Sequence, residues 1–461
     1  MSGGGDQQGT ADAVWPAGAR MERARSDNPV LDALLGAAYA LHPTEIELTL
    51  DRLERLLARL GNPQDKLPPV FHVAGTNGKG STVAFLRACL EASGKRVHVY
   101  TSPHLIRFNE RIRIAGQVID DEALSDLLRE LLSRNAGQPI TFFEITTALA
   151  FLAFSRTPAD ACIIEVGLGG RMDATNLIRQ PLVTGIAQLG LDHQQWLGNT
   201  ILQIAAEKAG IAKPGVPMVI SRYPKTVTTR IAEVAGVTKA RLIVRGDDWD
   251  AAVYEGALHY RDTAGRIELP LPRLVGAHQI DNAGLAIAML RAQSVLPVPD
   301  AALRAGMGWA EWPARLQRLD TGPLTALLPA GSELWIDGGH NPAAARAIAE
   351  NFRGAVLQDR PFHLVLGMLA AKDAAGFLKA FAPHATGVHA VPIPGHAHHA
   401  PEALVQLAHE STLPAIARES LQEALAAIGR AADRERPPVV LVAGSLYLAG
   451  KALADNGQSA G

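Results

Sequence analysis

The stretch Val70-Phe71-His72-Val73-Ala74-Gly75-Thr76-Asn77-Gly78-Lys79-Gly80-Ser81-Thr82 decides how this chain is read. A short apolar run enters a glycine-rich turn carrying one lysine and several hydroxyls, and an apolar periodic segment from Val83 to Leu90 follows. Strand, loop and helix in that order are the setting of a phosphate-binding loop. Glycines let backbone N–H groups converge on phosphate oxygens, and the helix start adds partial positive charge. Lys79 is placed to reach the terminal phosphates, and Ser81 or Thr82 to ligate magnesium. The match to the common pattern is incomplete: Val73 stands where its first glycine belongs, and Gly80 separates Lys79 from Ser81. An ordinary strand-to-helix turn is the plainer reading, and the lysine weighs against it.

Outward from this turn, strands and helices alternate. Ile46, Leu50, Leu53, Leu57 and Leu60 repeat at helical spacing until Gly61-Asn62-Pro63 stops them. Strands are expected at 97–100, 161–166, 182–187 and 216–220, and helices at 121–134, 142–155 and 200–212. This rhythm implies a mostly parallel α/β sheet covered on both faces. Residues 240–272 break it and suggest a β-rich insertion, and a long helix follows from about 278 to 293. A second α/β series begins near Pro313, with strands at 334–337, 363–367, 387–391 and 439–443 and helices near 342–352, 373–382, 401–410 and 419–432. Its spacing fits a smaller, Rossmann-like C-terminal domain. Pro297, Pro299 and Pro313 mark the connection. The expected division is a disordered tail over 1–25, a P-loop-containing N-terminal ATPase domain over 26–312 and the second domain over 313–461.

Composition narrows the function. The chain has 461 residues, 48% of them hydrophobic, enough for substantial cores, and a net charge of -2, which leaves no nucleic-acid footprint. Cys89 and Cys162 sit in apolar runs and read as reduced thiols, so neither a disulfide framework nor a cysteine metal site is expected. Residues 1–20 lack a continuous apolar segment, no targeting signal is seen, and Met21 is a second candidate start. The apolar run near 142–154 is too short to span a bilayer and contains Glu144. A cytoplasmic protein with no membrane partner is the expectation.

Several further segments carry chemistry. Glu165 ends a buried strand before a glycine turn, at the edge where parallel sheets bind ligands; it reads equally as a magnesium ligand or as a partner of Arg171. Thr101-Ser102-Pro103-His104 and Asp192-His193 follow strands in the same way, with a polar turn and a structural histidine as the plainer readings. Lys208, late in the helix 200–212, is ordinarily a solvated neighbour of Glu207 with Gly210 ending the helix. The sharper reading turns it inward as a neutral amine that adds carbon dioxide to form a carbamate, against its usual pKa of about 10.4. Asp337-Gly338-Gly339-His340-Asn341-Pro342 joins a strand to a helix whose first position suits proline. It exposes an acid, an imidazole and a helix start. Arg315 lies at the domain junction, in reach of phosphates, or is a linker arginine. His396, His398 and His399 have metal-ligand composition but read as a solvent loop.

Together these segments resemble the folylpolyglutamate synthase/dihydrofolate synthase family of the Mur-ligase-like superfamily. The matching words include Ala74 to Ser81, Tyr100 to Leu105, Asn109 to Ile112, Glu165 to Arg171 and Asp173 to Asn176. Further matches are Asp192-His193, Leu197 to Thr200, Glu207 to Ile211, Gly276 to Gln279 with Asn282-Ala283, and Gly444 to Tyr447. They fall in the expected order over roughly residues 28–450, and the incomplete P-loop is itself the family's form. The resemblance implies a Mur-ligase-like ATP-binding domain, a glutamate-ligase C-terminal domain and an ATP-dependent amide ligase that joins L-glutamate to dihydropteroate, a reduced folate or both. It implies ATP contacts from Gly75, Thr76, Asn77, Gly78, Lys79, Gly80, Ser81, Thr82, Asn282, Arg315 and Asp337. Ser81, Ser102 and Glu165 would serve one Mg2+, and Glu165 with His193 a second. Lys208 matches a lysine carbamylated in the family. Lys79, Lys208, Asp337 and His340 are the implied catalytic residues, and Phe142, Phe143, Asp173 and Ala174 fall where the pterin group is expected. Three positions depart. Ala314 replaces a glycine and is expected to restrict a backbone angle; Gly339 replaces an alanine and is expected to loosen its loop; Ala371 replaces an aspartate before Lys372-Asp373.

The implied reaction transfers the γ-phosphoryl group to a carboxylate, and the glutamate amine then displaces phosphate from the acyl phosphate, with the domains closed against water. A Mur-type ligase acting on a cell-wall precursor is a rival enzyme, and a nucleotide-binding module without ligase activity a rival of another class. A monomer is the expected state.

Overall fold

The computed structural model describes residues 26–43, 48–353 and 360–458. The expected tail over 1–25, and Ile46 of the first amphipathic run, lie outside them; the helix formed by the rest of that run is Asp51–Arg59, with Leu50 and Leu60 at its caps.

The first sheet has eight strands: β1 Val70–Ala74, β2 Val97–Tyr100, β3 Ile112–Ile114, β4 Gln117–Val118, β5 Ala161–Glu165, β6 Val183–Ile186, β7 Pro217–Ile220 and β8 Arg241–Val244. Their order is β4-β3-β2-β5-β1-β6-β7-β8, parallel from β2 to β8, with β3 and β4 an antiparallel edge. β1 and β5 are buried along their whole length, as parallel strands covered on both faces must be. Successive side chains feed opposite cores. Phe71 and Val73 pack with helices Lys79–Ala92 and Ala277–Arg291, whereas Val70 and Ile164 pack with helices Pro29–Ala40, Asp121–Asn135 and Phe142–Arg156.

The β-rich insertion is smaller than expected, because residues 241–244 extend the large sheet. What remains is an antiparallel meander of β9 Trp249–Tyr254, β10 Ala257–Asp262 and β11 Gly265–Leu269. Its alternate residues Trp249, Ala251, Leu258, Tyr260, Ile267 and Leu269 face the first core.

Residues 300–309, treated in sequence as part of a connection, form a helix. Its buried face, Ala302, Leu303, Gly306 and Met307, has helical spacing, but Gly306 and Gly308 mask it. Helix Lys225–Thr238 was hidden in another way: Val227, Ile231 and Ala235 are its buried stripe, set among β-branched residues that suit strands.

The third sheet comprises β12 Gln317–Leu319, β13 Glu333–Ile336, β14 Phe362–Leu366, β15 Gly387–Ala390, β16 Ala415–Ala417 and β17 Val439–Ala443. Its order is β12-β13-β17-β14-β15-β16, with only β12 antiparallel. Helices on both faces give it two cores. Among the described residues no helix is long and apolar enough to cross a membrane.

Helix Asp300–Trp309 seals the first core by close approach. A Cβ at Gly306 would lie 2.3 Å from Cys89 Sγ and 3.0 Å from the Cys89 backbone. Gly306→Ala should therefore destabilise by about 1–3 kcal/mol despite alanine's better helix propensity. Urea unfolding checks this, and equal or greater stability would show the contact to be slack.

Candidate functional site

Loops at the carboxyl ends of β1, β2, β5 and β6 form one wall of a cleft, where open parallel sheets take their ligands. β1 runs directly into Gly75, and helix Lys79–Ala92 begins after Gly78 at φ +83°. A side chain at 78 would be strained there, and its Cβ would stand 2.3 Å from Asn282 Oδ1. The Lys79 ammonium folds back to donate to the carbonyls of Gly75 (3.1 Å) and Thr76 (3.3 Å) and lies 3.9 Å from Glu165 Oε1. Glu165 is 5% exposed, and its Oε2 accepts from the Ser102 N–H at 3.3 Å. Burial raises its pKa, and the Lys79 charge opposes the rise. Arg171 does not pair with it; Arg171 donates to Glu207 Oε1 at 3.1 and 2.9 Å instead.

Lys208 points inward, 5% exposed, with no ion pair among the described residues. Burial first, and the charge of Lys79 second, lower its pKa to about 7. The close packing of Gly170 allows this: a Cβ at 170 would meet the Glu207 carbonyl oxygen at 2.6 Å and Lys208 Cα at 2.9 Å.

The opposite wall comes from the third sheet. β13 leads into Asp337 to Asn341 and then helix Pro342–Ala349, whose Ala344 N–H is capped by Asn341 Oδ1 at 2.9 Å. Asp337 accepts from the N–H groups of Leu316 (2.8 Å) and Gly339 (2.6 Å), tying the Arg315 turn to the His340 loop. Ala314 and Leu316 take φ +55° and +41°, at a cost of roughly 1–2 kcal/mol each. The angle expected to trouble Ala314 is thus adopted, held by Gly338 N–H and Arg315 Nη1 donating to the Ala314 carbonyl at 3.0 and 2.9 Å. Gly339 answers to crowding rather than to flexibility, since a Cβ there would fall 2.5 Å from Ile348 Cδ1.

The walls meet. Asn77 and Asn341 exchange hydrogen bonds at 3.2 and 2.9 Å. Asp192 accepts from Lys372 Nζ at 2.5 Å and from His340 Nε2 at 3.3 Å. Burial alone would raise the Asp192 pKa, but His340, His193 and Lys372 hold it well below the usual carboxylate range. The Trp312 indole covers Gly80.

One cavity between the walls is lined by Gly75 through Ser81, Ser102, Glu165, His193, Lys208, Asn282, Arg315, Asp337 and His340. Thr82 is not brought in; its hydroxyl donates to the Gly78 carbonyl at 2.9 Å. Phe142 and Phe143 line an adjoining cavity with Tyr39, His104 and Arg111, and the two cavities share Asp192, His193 and His340. Asp173 and Ala174 line neither. Asp173 accepts from the Leu168 N–H at 2.7 Å and the Thr175 N–H at 3.0 Å, bracing the glycine turn after β5.

Among the described residues no three His, Cys, Asp or Glu side chains are arranged to hold a metal unaided. The buried Glu165 carboxylate, with the nearby Ser81, Ser102 and His193, still fits magnesium, which takes one or two protein ligands and completes its shell with water and phosphate. The 396–399 histidines brace loops: His398 Nδ1 bonds the His396 carbonyl at 2.6 Å and His399 Nε2 that of Lys372 at 2.9 Å.

Sequence reasoning gave no role to Asp192, Asn341, Trp312 or Lys372. Asp192 and Asn341 lie beside His193 and His340 in chemistry-bearing strand-end turns, which was the available signal. Trp312 and Lys372 gave none that separates them from surface residues.

The Mur ligase, glutamate ligase domain family matches residues 325–446. The folylpolyglutamate synthase of Lacticaseibacillus casei is 37% identical over 421 residues, covering 86% of this chain and 92% of that protein. The structure of E. coli FolC in complex with DHPP and ADP superposes with a TM-score of 0.83 at 33% identity, covering 93% of this chain and 98% of that one. A bifunctional folylpolyglutamate synthase/dihydrofolate synthase with Mn, AMPPNP and L-glutamate bound has a TM-score of 0.81 at 32% identity, covering 94% and 99%. With relatives this similar along nearly their whole length, and loops of two sheets converging on one cleft, the chain belongs to the folylpolyglutamate synthase/dihydrofolate synthase family.

Proposed function

We propose that this chain is an ATP-dependent amide ligase that adds L-glutamate to dihydropteroate and to reduced folate through an acyl phosphate. The observation that carries the reading is the single cavity in which the Lys79 turn and Glu165 of one sheet face Arg315, Asp337 and His340 of another. Residues 26–312 form the ATP-binding domain and 313–461 the glutamate-ligase domain of a cytoplasmic monomer that needs no nucleic acid or membrane.

Each residue does a definable task. The turn from Gly75 to Gly80 offers backbone N–H groups to the phosphates, and Lys79 leaves the Gly75 and Thr76 carbonyls to meet the β- and γ-phosphates. Arg315 approaches from the far wall, and Asn282, fixed by its amide donating to Gln279 Oε1 at 3.0 Å, holds the nucleotide. Ser81, Ser102 and Glu165 would hold Mg2+, with Glu165 and His193 holding a second ion. A metal held there would supply charge neutralisation for the phosphates. The acceptor carboxylate takes that group, ADP departs, and the glutamate amine attacks the acyl carbon to expel phosphate. Phe142 and Phe143 offer the apolar face on which a pterin ring rests, and His340 stands between the two cavities where the amine arrives. Carbamylation of Lys208 is supported by its depressed pKa: the amine is half neutral near pH 7 and can add carbon dioxide.

Lys79→Ala should abolish ATP-dependent phosphate release in the presence of acceptor and glutamate, and unchanged turnover would overturn the reading. Lys208→Ala should lose at least a hundredfold in kcat and be partly restored by acetate, a free carboxylate in place of the carbamate. Because the Lys208 pKa is depressed to about 7, protonation grows below pH 7 and removes the nucleophile for carbon dioxide. In CO2-depleted buffer, activity at pH 6 should therefore be rescued less by added bicarbonate than activity at pH 8; equal rescue would exclude the carbamate. Phosphate release with dihydropteroate and with tetrahydrofolate as acceptors tests the dual specificity, and activity with one alone would make the enzyme monofunctional.

A further inference from the structure

Both ion pairs that cross between the walls among the described residues end on one carboxylate, Asp192. Its Oδ1 accepts from Lys372 Nζ at 2.5 Å, on the loop after β14; its Oδ2 faces His340 Nε2 at 3.3 Å and Asn341 Nδ2 at 3.4 Å, on the loop after β13. The Asp192 and Lys372 side chains are only 10% and 12% exposed. With the walls together each charge depends on the other, so removing either one strands its partner and disfavours the closed arrangement. Lys372 is not on a loose arm, since its carbonyl is held by His399. Asp192 also borders both cavities, the place where an activated carboxylate linking nucleotide and acceptor sides must stand.

We propose that Asp192 is a positioning residue that clasps the cleft shut, drawing Lys372, His340 and Asn341 onto the wall of the phosphate loop so that water is kept from the acyl phosphate. The inference rests on the acyl-phosphate reading above. When the clasp fails, water replaces the amine: its oxygen adds to the acyl phosphate, phosphate leaves, the carboxylate is regenerated, and ATP has been converted to ADP and phosphate with no amide formed.

The readout is the ratio of phosphate released to amide formed, in the full-length enzyme with saturating ATP and acceptor. The wild type should give a ratio near one. Asp192→Asn and Lys372→Met should each raise it several-fold and raise the KM for glutamate, with ATP affinity changed less than twofold. The double variant should be no worse than the poorer single one, and Asp192→Glu should recover part of the coupling. Lys372→Met separates the clasp from a second effect, because Asp192 Oδ1 also accepts from the His193 N–H at 2.8 Å. Uncoupling by the Asp192 variants alone would trace the effect to His193 and overturn the clasp, as would tight coupling in all variants. A wild type that releases phosphate without amide would overturn the ligase reading itself.

Discussion

A buried carboxylate facing an ammonium across 3.9 Å, Glu165 and Lys79, is the constraint around which this molecule is organised. Glu165 ends β5 and Lys79 opens the helix after β1, and β1 and β5 are neighbours in the sheet. Parallel pairing brings both to the same edge. Burial raises the carboxylate pKa, so the site favours any cation that enters. Lys79 supplies that charge and also satisfies loop carbonyls. A nucleotide and its metal would take over both duties, leaving Lys79 to the phosphates.

The third sheet adds what one wall cannot. A triphosphate held by one sheet alone stays open to water on its far side, and an acyl phosphate formed there would be hydrolysed. The Arg315 turn and the His340 loop are therefore joined through Asp337 rather than left independent. Two residues at positive φ flank Arg315. Such strain persists only where surrounding bonds fix the backbone, and here they hold Arg315 in the lining of the cleft.

The fold was legible where one side-chain period dominated. The apolar strands β1, β5 and β17 and the helices at 121–135, 142–156 and 277–291 all stood out. Helix 300–309 did not, because its glycines serve close packing on Cys89, a tertiary demand invisible along the chain. The site was legible in the same measure. Lys79 and His340 stand out by residue type in the turns that follow strands, whereas Glu165 taken alone reads equally as a partner of Arg171. The inward turn of Lys208 depends on the packing of Gly170, and local sequence favours an exposed charged pair instead. Lys372 could not have been picked out, since its partner Asp192 lies 180 residues away. Thr82 and Asp173 show the converse: residue types suited to ligand binding are used to hold backbone.

The central claim is that phosphoryl transfer to a carboxylate, completed between two walls, links ATP to amide formation. Oxygen-18 placed in the acceptor carboxylate tests this most directly. The account predicts that one labelled oxygen appears in the inorganic phosphate for each amide formed. Unlabelled phosphate, with amide still produced, would contradict it.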